Sequence, residues 1–397
     1  MRGSHDTQPP LFHRFCVEDR IRADHPLRDV KRRTDRILAD MSPAFDAAYS
    51  NTGRPSVPPE RLLKALLLVA LYSVRSERQL CEQIDLGLLF RWFLDMQPGD
   101  EAFDPSTFTK NRQRLEKHGL AKAFFDAVAN EALTKNLCSE HFSVDGTIIE
   151  SFASAKSFQP KPTEDDRTNG DNDKLDIVDP DRDKVDSNGF KPRNVDVDFR
   201  GQKRTNETHA SRTDPEARLY RKSKGKEAKL SHMGHVLAEN RHGLILGICA
   251  TEASGTAERE ATLKMLDELQ STHDRKPITL GGDKGYDDGE FFRKLESRKI
   301  EPHIPLVGEP ADPKSVKDRK RLPGIRARRR MKRRMKEVGY GLSQKCRKKV
   351  EECFGWLKSV AGLGRSRVVG RWKLVQLLQI GAAAFNLVRL RKLSPAT

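Results

Sequence analysis

The sequence predicts an α/β protein: a mixed sheet flanked by helices, preceded by an all-α N-terminal domain and broken by a long flexible polar insertion. Three observations carry this. From Phe142 onward, short apolar runs of strand length alternate with stretches whose apolar residues recur at helical spacing. Before that point the chain shows helical periodicity and helix-start chemistry, as in Pro58-Pro59-Glu60 leading into Leu62, Leu63, Ala65, Leu66 and Leu67. Residues 159–208 are rich in Asp, Asn, Lys, Arg and Pro and nearly free of large apolar side chains, so they cannot bury enough surface to offset chain entropy.

The elements follow in order. Residues 1–50 form an N-terminal segment in which Pro9-Pro10 and His25-Pro26 interrupt the chain before a helix over 30–41. A helical domain is expected over 51–135. Ser56 is placed to cap its first helix, which is apolar nearly all round and belongs in a core. A second helix begins near Ser76 and runs through Leu80, Ile84, Leu88 and Leu89 toward Trp92-Phe93. Asp104-Pro105-Ser106-Thr107 opens a third. Short helices joined by turns, with Ser106, Thr107, Lys110 and Arg112 near the start of the last, fit a helix-turn-helix reader of DNA. The hydroxyls and Lys suit phosphates, and Arg suits base edges. A plain helical bundle with a solvated polar face fits the same residues.

Residues 136–392 read as the α/β unit. A strand over 142–145 is followed, after the insertion, by apolar runs at 229–237 and 244–250 around a Gly-containing turn, which makes a hairpin. Next come a capped helix from Thr256, a strand ending at Asp283, a helix from Asp287 to Arg298, and a proline-interrupted edge strand over 301–307. Three strands, helix, strand, helix, strand and helix is the succession of a ribonuclease H-like core with one antiparallel edge. Residues 318–336 form a basic segment that includes Arg328, Arg329 and Arg330. Such a block repels itself and suits contact with phosphates. The final helices carry core residues at helical spacing, from Val350, Phe354 and Leu357 to Phe385 and Leu387.

Composition limits the function. A chain of 397 residues is long enough for two or three structural units with a sizeable core. A net charge of +17 points to a polyanionic partner, nucleic acid above all. The six cysteines are scattered without a Cys-x-x-Cys pair, which argues for reduced thiols in a cytoplasmic protein and against a zinc module. His232 and His235 form an isolated His-x-x-His, read as satisfied or solvated histidines. No membrane span or basic-then-apolar leader is evident.

The chemistry rests on three acids. Asp145 and Asp283 each end a strand-like run, and Glu351 lies on a helix studded with Arg and Lys. In such a sheet these positions converge on one rim, the usual ligand site of α/β folds, and are expected to meet within a few ångströms. Carboxylates gathered there suit hard divalent cations held against a phosphate. Glu352 is a rival to Glu351. Arg347, Glu351 and Lys358 are spaced by four and seven and share one helix face, whereas Glu352 points about a quarter-turn away, which favours Glu351.

The segments Phe142-Ser-Val-Asp-Gly-Thr147 and Gly281-Gly-Asp-Lys-Gly-Tyr-Asp287, with Arg347, Glu351 and Lys358, resemble the three signature blocks of DDE-type transposases of bacterial insertion sequences. The stretch from Arg54 to Phe93 is similar to the N-terminal helical domain of those enzymes, and the run from Arg212 to His235 to the part that precedes their hairpin. The likeness spans about residues 12–392. It implies that Asp145, Asp283 and Glu351 bind Mg²⁺ or Mn²⁺, two ions in all, with Arg347 and Lys358 as the flanking bases. It further implies double-stranded DNA partners: terminal inverted repeats that are cut and joined to a target in a nucleoid-associated, cytoplasmic setting. Two protomers are expected, since two ends must be paired. One position departs from the signature, Gln344 standing where the family has Tyr. Two other readings stay open: a catalytically inactive DNA-binding regulator, and a metal-dependent nuclease that cuts without joining.

Overall fold

The computed structural model describes residues 16–49, 52, 56–161, 204–221, 227–315 and 318–394. Most of the insertion expected at 159–208 lies outside these residues. Eight helices lead: α1 (Val17–Arg20), α2 (Leu27–Asp40), α3 (Ser42–Ala48), α4 (Pro59–Leu71), α5 (Glu77–Leu86), α6 (Leu88–Phe93), α7 (Pro105–Lys117) and α8 (Leu120–Thr134). Two details differ from expectation. The cap of α4 is Pro58 rather than Ser56, and Ser56 Oγ is turned toward Val57 O at 3.4 Å. Pro59, which has no N–H, opens the helix and leaves one donor fewer to cap. The helix expected from Ser76 to Phe93 is two, parted at Gly87, where a Cβ would lie 2.5 Å from Gln83 O. Ser76 does cap α5, its Oγ accepting from Gln79 N at 3.1 Å.

The second half comprises β1 (His141–Glu150), β2 (Phe158–Pro160), β3 (His209–Ser211), β4 (Arg218–Tyr220), β5 (Lys229–Glu239), β6 (Ile245–Glu252), α9 (Ala257–His273), β7 (Thr279–Gly281), α10 (Gly289–Ser297), β8 (Glu301–His303), α11 (Leu322–Arg334), α12 (Val338–Cys346), α13 (Lys348–Ser359) and α14 (Arg371–Leu393). The main sheet has the order β6-β5-β1-β7-β8, and β4 pairs with the first residues of β5. Strand β5 is antiparallel to β1 and β6, while β7 and β8 run parallel to β1. That is the ribonuclease H-like arrangement the element order predicts. The β2–β3 ladder joins Phe158 to Ser211, so ordered chain extends inside the 159–208 boundaries. Thr256 precedes α9 without a side-chain cap, contrary to expectation; its backbone is already in the αR region (φ −105°, ψ −15°) rather than the extended conformation typical of a capping residue.

One apolar core runs through both halves. Helix α14 packs against α8, α4 and β6. Its buried Asn386 accepts from Ile245 N (2.9 Å) and donates to Ile245 O (2.7 Å), which fixes its register on β6. Among the described residues no helix is long and apolar enough to cross a membrane. All six cysteines are free thiols.

The two histidines of the His-x-x-His pair serve different partners. His232 Nε2 meets Asp214 Oδ2 at 2.9 Å, and His235 Nε2 meets Thr251 Oγ1 at 2.8 Å. Burial pushes the His235 imidazole down to about 4, from an ordinary 6.5. The unfolded chain therefore binds the extra proton between those two values, and stability is complete above pH 6.5 and lost as pH falls toward 4. The upper limit is about 3 kcal/mol. Urea titrations at pH 7.5 and pH 5 are expected to show this loss in the wild type and a smaller one in His235→Gln.

Candidate active site

The site forms where β1 outruns its parallel neighbour. Pairing with β7 stops at Ser143↔Gly281, so each strand carries an aspartate two residues beyond the last pair: Asp145 and Asp283. The expectation that Asp145 ends its strand is corrected. It is the fifth of the ten residues of β1, because the antiparallel partner β5 supports the strand as far as Glu150↔Ser231. Asp283 lies past β7 and caps a short 3₁₀ turn, its Oδ1 accepting from Gly285 N at 2.8 Å.

Glu351 enters from α13. Arg347 lies at the junction of α12 and α13, with its guanidinium 3.3 Å from Glu351 Oε1 and 4.0 Å from Asp145 Oδ2. The three acids thus face one corner with Arg347 between two of them. Among the described residues no three His, Cys, Asp or Glu side chains are gathered into a ready-made metal cage. Arg347 stands between Asp145 and Glu351 and screens their mutual repulsion. Glu352 points elsewhere and pairs with Arg389 at 2.6 Å, and Lys358 is exposed. Gln344 has a structural task. Its Nε2 donates to His303 O (2.6 Å) and lies 3.4 Å from Gly282 O, tying α12 to the ends of β8 and β7 beside Asp283.

The donor set suits a hard divalent cation, being entirely carboxylate oxygen. Burial is the main cause that pushes the Asp145 carboxyl up to about 6; Asp283 and Glu351 add to it, while the Gly146 N–H and Arg347 oppose it. A fourth acid, which sequence reading passed over, shares the corner. Glu258, in the first turn of α9, is raised by burial and then by Asp283 and Asp145. The signal that could have found it is the glycine directly after Asp145, Gly146, whose missing side chain leaves room for its carboxylate.

The residues expected to meet DNA divide into two groups. Ser106, Thr107 and Lys110 are exposed at the start of α7, where Asp104 Oδ1 accepts from Ser106 N (2.8 Å) and Thr107 N (3.3 Å). Arg112 instead turns inward to Glu77 and Glu116. In the basic segment, Arg328 forms a two-pronged pair with Asp287 (2.9 and 2.7 Å), Arg330 binds Glu296, and Arg329 lies 3.4 Å from Asp312. A block that looks unopposed in sequence is answered by acids of α10 and its flanking loops, because α11 packs on α10.

Two family models match the chain: "Transposase domain (DUF772)" over residues 15–114 and "Transposase DDE domain" over residues 189–387. The second contains Asp283 and Glu351 and begins after Asp145, so the place of Asp145 rests on the strand register. No curated protein matches. Two solved structures of Mos1 transposase are similar at low level. A paired-end complex with left transposon end is 12% identical over 79% of this chain and 82% of that one, and a pre-cleavage transpososome 13% identical over 80% and 83%. Both have a TM-score of 0.20, too low to bear on the fold, which rests on the strand order.

Proposed function

This chain belongs to the transposase DDE-domain family and is a DDE transposase, and from that premise we propose that it cuts and joins DNA strands at the terminal inverted repeats of an insertion sequence. The observation that carries the reading is the shared register of Asp145 and Asp283, with Arg347 reaching from Asp145 to Glu351. Asp145, Asp283 and Glu351 are the residues that would hold Mg²⁺ or Mn²⁺, two ions in all. When bound, such cations activate a water or a 3′-hydroxyl and stabilise the leaving oxygen of an in-line phosphoryl displacement.

The protein's own side chains have distinct tasks in this reading. Arg347 exchanges its carboxylate partners for a DNA phosphate, which lets the acids turn to the cations. Lys358, two turns further along α13, holds the backbone of the same strand as a point charge. Ser106, Thr107 and Lys110 present hydroxyls and a cation at an exposed helix start, suited to phosphates of the element end. Arg329, the more exposed of the three arginines in the basic segment that the sequence singled out, is the one freest to exchange its acid for a phosphate. Two protomers work together, one at each end.

The test uses purified full-length protein, labelled DNA ending in the element's inverted repeats, and Mg²⁺, scoring nicked and joined products. Both products are expected from the wild type, and neither from Glu351→Gln. Nicks alone would identify a nuclease without joining activity, and DNA binding without products an inactive regulator.

A further inference from the structure

The carboxylate of Glu258 is wedged between the two backbone positions that follow or flank the aspartates. A Cβ at Gly146, next to Asp145, would lie 2.5 Å from Glu258 Oε1 and 3.1 Å from its Cδ. A Cβ at Gly285 would lie 3.6 Å from Glu258 Oε2 and 3.0 Å from Asp283 Oδ1. One oxygen of Glu258 is therefore beside Asp145's neighbour, and the other is in the same pocket of space as an Asp283 oxygen. No ion pair with a Lys, Arg or His satisfies this carboxylate among the described residues, although it is only partly open to water.

A second observation comes from beneath the cluster. Tyr286 is fully buried and its Oη makes no hydrogen bond of good geometry. Its polar neighbour Thr262 donates its hydroxyl to Glu258 O at 2.6 Å instead. The Tyr286 ring packs against Gly282, the residue before Asp283, where a Cβ would lie 3.3 Å from it, and Glu258, Asp145 and Asp283 all act on this phenol. Half-buried carboxylates without partners are costly, and proteins retain them where a ligand supplies the missing charge.

We propose that Glu258 is a fourth carboxylate ligand of the divalent cation held between Asp145 and Asp283, with Gly146 kept small so that it can reach. The proposal rests on the reading of those two aspartates as cation ligands. Hard cations take six or more oxygens, so a further carboxylate fits the coordination demand without displacing the others. It also gives α9 a part in the reaction centre, which the acids of β1, β7 and α13 alone do not.

Mn²⁺ binding by the full-length protein, followed by electron paramagnetic resonance, tests it without any DNA. Glu258→Gln is expected to weaken Mn²⁺ binding by about tenfold or more, as loss of a group around a metal does. Asp145→Asn weakens it too, and Glu260→Gln, an exposed neighbour on α9, leaves it unchanged. A merely structural Glu258 would leave a less stable protein; a cation ligand predicts that Glu258→Gln has an unchanged or higher Tm in EDTA and a smaller rise in Tm on adding Mn²⁺. Gly146→Ala, which pushes the Glu258 carboxylate aside, is expected to reproduce the loss of affinity. If Asp145→Asn weakens binding and Glu258→Gln does not, the fourth ligand is refuted and the aspartate site stands. Should neither substitution matter, both the site and the proposal fall.

Discussion

Asp283→Asn is expected to lower both cleavage and joining by a factor on the order of 10³ or more, while the protein still folds. A cation in such a site contributes several kcal/mol to the transition state, and each 1.36 kcal/mol is tenfold in rate. The fold survives because the Asp283 carboxylate makes one side-chain hydrogen bond among the described residues, accepting from Gly285 N within its own turn. Asn keeps an acceptor there. Single-turnover assays on pre-cut and uncut ends, beside a thermal melt, check both halves of the statement. Asp145→Asn is expected to be equally inactive and, unlike Asp283→Asn, more stable than wild type in EDTA. The fold holds the carboxyl of Asp145 at about 6 rather than 3.8, so its charge opposes folding at pH 7. Replacing it with a neutral amide is expected to stabilise the cation-free protein by about 1–3 kcal/mol. In wild type this gain appears as pH falls through 6, and the variant lacks that rise.

The second large effect lies far from the site. Arg33 is fully buried on α2, with Asp29 at 3.1 Å and Glu131 of α8 in direct contact. Arg33→Ala is expected to cost about 3–5 kcal/mol, since it leaves a buried carboxylate short of its partner. The lower end of that range is the better expectation, because Arg36 (3.0 Å) and Lys135 (3.1 Å) also reach Glu131. Urea unfolding of the variant, compared with Arg33→Met and with Arg33→Ala/Glu131→Gln, separates lost packing from stranded charge. The double variant recovers stability if charge is the cause.

Helices α2, α4, α5 and α7 were legible because each carries its own local instruction: a proline start, a Ser76 or Asp104 cap, or apolar residues at helical spacing. The break at Gly87 was hidden because both flanking stretches keep the same spacing of leucines. Helix α11 was hidden for another reason. Its sequence reads as a charge block, and only in the fold do Asp287 and Glu296, remote in sequence, neutralise Arg328 and Arg330 while Ala327 and Met331 are buried. Arg112 was read as a DNA contact from its place on α7, yet a glutamate of α5 turns it inward. Glu258 was passed over since nothing near it in sequence is unusual; its neighbours Gly146 and Gly285 lie on other elements.

Sequence alone singled out three carboxylates suited to a cation and most of the strands and helices around them, because side-chain chemistry and hydrophobic period are local properties. Tertiary structure decided how those groups relate. The parallel register of β1 and β7 aligned two aspartates 138 positions apart, the junction at Arg347 set a guanidinium between Asp145 and Glu351, and the packing of α9 added Glu258 to the corner. Distance and charge balance in a site are properties of pairs of elements, and no single segment of the chain contains them.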